Sequence, residues 1–157
     1  MKIRKITLNN RKKEFTVENR AGKVFAFPFS KADPTPDPTN KVTSVEVDSE
    51  LGNEAFTYVL SSGDEGSVHI DSVLEYNEDP GYMADLLIYK LSLEAQRCID
   101  QSKLSRRQVA HRLNTSVPQL YRLMDTGNSK KSINQLVSLL HVLNCDVDLV
   151  VKKRASA

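Results

Sequence analysis

The chain has 157 residues, 39% of them hydrophobic and 27% charged, an ordinary balance for a soluble globular protein. No stretch is long and apolar enough to span a bilayer, and the opening MKIRKITLNN lacks the apolar core of a secretion signal, so the expected setting is the cytoplasm, with no membrane partner. The net charge of +2 conceals an asymmetry: residues 1–80 carry ten Lys/Arg against fourteen Asp/Glu, and residues 81–157 carry twelve against six.

The first half reads as β. KITL, EFTVEN and KVFAFPF run with β-branched and aromatic residues, and Arg20-Ala21-Gly22 supplies a turn between the last two. KADPTPDPTN holds three prolines, which lack the backbone donor of a ladder and restrict the residues before them, so it is a loop. VTSVEVD, EAFTYVL and SVHIDSVLEY follow as three further strands, with a hairpin loop from Ser62 to Gly66. No helical period is discernible before Asn77. The expected first domain is therefore a small antiparallel β domain over residues 1–78.

The period changes at Asp79-Pro80, where Asp suits an N-cap and Pro the first helical position. Ala84, Leu87, Ile88, Leu91, Ala95, Cys98 and Ile99 then recur at helical spacing, one apolar stripe on a helix of about 20 residues. Cys98 and Cys145 lack CxxC spacing; buried free thiols are expected, with a disulfide or a metal role as the alternative.

Three serines are each followed three residues later by glutamine: Ser105 by Gln108, Ser116 by Gln119 and Ser132 by Gln135. Each pair fits a capping box, in which the serine oxygen accepts from an orphan N–H and the glutamine returns to the serine's own N–H. The first two boxes open helices over about Ser105–Leu113 and Ser116–Asp125. Asn114 falls at the sharp turn between them, where a left-handed residue is needed. Small Ala110 faces the crossing. Two short helices, a tight turn and a small residue at the contact predict a DNA-reading helix-turn-helix.

The outward residues of the second of these helices suit a groove. Val117, Pro118, Gln119, Tyr121 and Arg122 are the candidates for base readout: Gln pairs with adenine, Arg with guanine, and Val or Pro meets a thymine methyl. Gln119 also has a competing duty as the return arm of its box. Arg106, Arg107, Ser116, Asn128, Lys130 and Lys131 are placed to hold phosphates, which set register without reading sequence. Between Lys103 and Lys131 there are seven basic residues and one acid, Asp125, a field that favours a polyanion.

The segment from Leu104 to Val151 resembles the phage-repressor-like (Xre-type, lambda-repressor-like) helix-turn-helix family, and within it the bacterial antitoxin-type regulators that end in a short strand. The resemblance covers about residues 82–152. It implies a bundle of four or five helices, with Val117 to Arg122 as the recognition segment and Arg106 near a phosphate. The sequence departs from the family at Asn114, where glycine is common, and at Pro118.

A fourth helix is expected from Ser132 to about Asn144, followed by a strand from Asp146 to Lys152. That strand needs a partner for its ladder: either its twin in a second subunit, giving a two-fold dimer, or the N-terminal sheet of its own chain. His69, His111 and His141 are scattered without metal-ligand spacing, and no nucleophile context or phosphate loop is present. The expectation is an α+β protein, not an enzyme, with no cofactor and no metal. The N-terminal β domain is followed by a helical DNA-binding domain over residues 79–157. Its expected function is sequence-specific binding of double-stranded DNA as a transcriptional repressor, with the β half free for a protein partner such as a toxin, a small ligand or a second subunit. The alternative is a protein-interaction module that uses a helix-turn-helix scaffold without DNA.

Overall fold

A computed structural model describes residues 1–155 and divides them into two compact units, residues 1–83 and the residues from Ala84 onward. In the first unit, β1 (Ile3–Asn9), β2 (Glu14–Asn19) and β3 (Val24–Pro28) form one antiparallel sheet in the order β1-β2-β3. After a 3-10 turn at Phe29–Lys31 and the proline loop, β4 (Val42–Val47), β5 (Ala55–Leu60) and β6 (Glu65–His69) form a second antiparallel sheet in the order β4-β5-β6. Alternation explains both: in β2 it is Phe15 and Val17 that turn inward, opposite Phe27 and Phe25 of β3. Phe15 is the hub of the core, its ring 4.8 Å from Phe29, 4.9 Å from Phe56 and 5.1 Å from Tyr58.

Tyr58 shows how this core handles a polar atom. Its ring is buried and its hydroxyl donates to the Pro34 carbonyl at 2.6 Å, while burial pushes its pKa up to about 12. Across the ladder from Tyr58 stands Gly66, and a Cβ there would overlap the tyrosine ring. The glycine leaves the floor on which the ring lies.

β6 runs straight into α1 (Ile70–Tyr76), whose Ile70, Val73 and Leu74 complete the same core. α2 (Pro80–Gln101) begins in the first unit, with Asp79 as its cap: the Tyr82 N–H donates to Asp79 Oδ1 at 3.1 Å. Lys23, in the turn before β3, forms an ion pair with the same carboxylate.

The rest of α2 joins α3 (Arg106–Arg112), α4 (Val117–Met124) and α5 (Ile133–Val142) in the second unit. Its core is separate, built from Ala95, Ile99, Val109, Leu120, Leu136 and Leu139 among others. α3 and α5 both end on a left-handed asparagine, Asn114 at φ 53° and Asn144 at φ 59°. After α3, the N–H groups of Asn114 and Thr115 return to the carbonyls of His111 and Ala110 at 3.1 and 2.9 Å, which closes the helix and reverses the chain.

The architecture expected from sequence, a small N-terminal antiparallel β domain and then a helical bundle closed by a C-terminal strand, is overturned. The strands are spread along residues 3–69 in two separate sheets, and helices begin inside the first unit. SVHIDSVLEY is not one strand but the end of β6 followed by α1. Val68 and Ile70 satisfy a strand's period, but Ile70, Val73 and Leu74 satisfy a helix's, and the His69 ring nitrogen accepts from the Asp71 N–H at 3.3 Å to start the turn. The segment Asp146–Lys152 joins neither sheet and forms no strand. Its alternation is a local preference, and a ladder needs a neighbour that the chain does not supply.

Candidate functional site

The candidate surface is built on α3, the turn at Asn114, α4 and the loop that leads to α5. The Ser105 capping box forms in full: the Gln108 N–H donates to Ser105 Oγ at 3.2 Å, and the Ser105 N–H donates to Gln108 Oε1 at 2.8 Å. At α4 only one arm forms, the Gln119 N–H donating to Ser116 Oγ at 3.3 Å. The Gln119 side chain is thus released from the duty its spacing suggested. At α5 Ser132 makes no side-chain cap at all.

α4 is strongly two-sided. Leu120, Leu123 and Met124 are buried, and Pro118, Gln119, Tyr121 and Arg122 are exposed, with Tyr121 at 54%. Val117 is half-buried against the core. Pro118 sits in the first turn, where a missing N–H costs nothing. Ala110, 2% exposed, occupies the α3 side of the second core.

Gln119 and Arg122 open onto a concavity of about 370 Å³, which also receives Asn128, Lys130 and Lys131 from the loop. Pro118 and Tyr121 lie on the exposed face of α4 but outside this lining; Arg106 and Arg107 on α3 and Ser116 at the cap of α4 are also outside it. The lining also takes in Asn114 and Gln135, expected at the turn and in a capping box rather than at a binding surface, and adds Thr115, Asn134 and Ser138, which the sequence did not point to. Polar residues at 134, 135 and 138 share one helical face, a signal present in the sequence but masked by the apolar period of α5.

The basic residues divide into two kinds. Arg107, Arg112, Arg122 and Lys130 are exposed and take part in no ion pair among the described residues. Arg106 and Lys131 are engaged within the unit. Arg106 donates to the Ile99 carbonyl at 3.2 Å and to Asp100 Oδ1 at 2.8 Å, closing the end of α2. Lys131 Nζ donates to Ser92 Oγ at 2.6 Å and to the Leu123 carbonyl at 2.9 Å. Burial holds the Lys131 ammonium below the usual lysine range, against the pull of Asp125. Gln96 Nε2 donates to the neighbouring Met124 carbonyl at 2.9 Å, so two side chains satisfy the end of α4 and tie it to α2. The Asn128 side-chain oxygen accepts from the Lys130 N–H at 3.0 Å and shapes the loop.

In the N-terminal unit, a concavity of about 420 Å³ lies beside the proline loop, floored by Phe29, Pro36, Pro38 and Val42 and rimmed by Lys13 and Lys41. Among the described residues no three His, Cys, Asp or Glu come together to hold a metal ion, and no helix is long and apolar enough to cross a membrane.

No family model matches the chain, and neither a curated protein nor a solved structure matches it. What the surface can do is decided by its own residues.

Proposed function

We propose that the second unit binds double-stranded DNA sequence-specifically, with the exposed face of α4 in the major groove, and that the protein is a cytoplasmic transcriptional repressor. The observation that carries this reading is that Gln119 and Arg122 stand exposed on α4 with no ion pair or side-chain hydrogen bond among the described residues, beside Lys130, which likewise has no ion pair among them, and across a tight turn from α3. A helix enters the groove and its side chains read base edges, while flanking cations meet phosphates. Arg107 and Lys130 take the phosphate role. Arg106 and Lys131 instead hold α3 and α4 in place. Two copies paired through residues 146–152 would present two such helices to a palindromic site. The N-terminal unit is then left to engage a protein partner or a small ligand at its concavity.

The test is affinity for a mixed duplex pool as a function of salt. Each neutralised phosphate contributes about −0.9 to the slope of log affinity against log salt, so the wild-type protein should show a steep negative slope. Lys130→Ala should make that slope shallower by about 1 and weaken all duplexes alike. Absent or salt-indifferent binding would favour a protein-interaction module instead.

A further inference from the structure

Cys98 lies on the buried side of α2, and Cys145 is the third residue after α5, its N–H donating to the Leu140 carbonyl at 2.8 Å. The two sulfurs, 47 positions apart in sequence, are 2.6 Å from each other, well inside non-bonded contact and approaching the bonded distance of about 2.05 Å. Both are free thiols. Neither belongs to the α4 face or its concavity.

We propose that Cys98 and Cys145 form an oxidation site that closes to an intrachain disulfide on reaction with a low-molecular-weight disulfide of the glutathione type. Cys145 is half-buried and Cys98 buried, so the oxidant meets Cys145 first. The Cys145 thiolate attacks one sulfur of the oxidant, forming a mixed disulfide and expelling one thiolate. Cys98 then attacks Cys145 Sγ, forming the Cys98–Cys145 bond and expelling the second thiolate. The two protons lost by the protein thiols go to the two leaving thiolates, so the pair gives up two electrons and the oxidant takes them. Burial pushes the Cys98 thiol up to about 11, which disfavours it as the first nucleophile, whereas in the second step its target is already in contact.

The bond would close a loop that contains all of α3, α4 and α5. It constrains the unfolded chain over that span without covering the α4 face, and this expectation does not depend on what that face binds.

The experiment treats the reduced full-length protein with oxidised glutathione and reads intact mass, peptide mapping without reductant, and thermal melting. The expected product is lighter by two hydrogens, carries a Cys98–Cys145 linked peptide, and melts about 10 °C higher or more. Cys98→Ala under the same treatment should retain one glutathione on Cys145. The proposal fails if the wild-type protein keeps two free thiols, if glutathione stays on Cys145 without closure, or if Cys145 pairs between chains. Mapping of the wild-type protein decides the matter whether or not the variant folds.

Discussion

Arg122 and Lys131 carry the same charge and lie nine residues apart, but their surroundings differ. Arg122 is exposed on α4 with no ion pair among the described residues, whereas Lys131 is held by Ser92 and the Leu123 carbonyl. Arg122→Ala should relax base preference at one position of each half-site, by about 1–3 kcal/mol of discrimination. Selection of bound sequences from a random duplex pool measures this, and an unchanged preference would contradict it. Lys131 is where sequence stopped informing. Beside Lys130 it looks like a twin in a solvated basic run, and only the fold brings Ser92, 39 positions away, under its ammonium. Arg122 was legible because the period of a short amphipathic helix alone decides which way it points.

At the scale of elements, the legible features were those whose partners are close in sequence. The Ser105–Gln108 box joins residues three positions apart and forms as its spacing predicts. Ser105→Ala should cost about 1 kcal/mol and lower the melting midpoint by a few degrees, as calorimetry would record; no change would mean that α3 is held by packing alone. The boxes at Ser116 and Ser132 form partly or not at all, since side-chain reach is a permission and not an obligation. The start of α2 adds a pH dependence. Lys23 and the Tyr82 N–H hold the Asp79 carboxyl below its ordinary value of 3.8. A carboxyl whose folded pKa is depressed stabilises fully above its unfolded pKa, and that contribution is lost as pH falls through the folded value. Asp79→Asn should therefore lower stability at pH 7 and flatten the acid-side decline below about pH 4. Parallel stability curves for the two proteins would rule out this role for the carboxylate.

For the whole molecule, the hidden information lay in long-range choices. Six strands' worth of alternation was visible, but not their division into two sheets, because pairing order depends on partners far along the chain. The tail shows the same limit. Asp146–Lys152 alternates like a strand and forms none, leaving Leu149 83% and Val151 84% exposed. Apolar side chains so open on an unpaired, strand-patterned segment are the feature a second copy would cover. On the proposed two-fold pairing, Leu149→Lys with Val151→Lys should shift a dimer to monomer in sedimentation and weaken binding to a palindromic duplex far more than to a single half-site. A dimer that persists in this variant would place the subunit contact elsewhere.

The tyrosine that rests on Gly66 has an implication for how the sequence can drift. Neither position tolerates change alone: enlarging the glycine evicts the ring, and shrinking the ring strands the Pro34 carbonyl and hollows the space around Phe15. Lineages of this chain should therefore keep both residues or exchange them together, so that their covariation marks the register of β5 on β6 even where the rest of both strands has diverged.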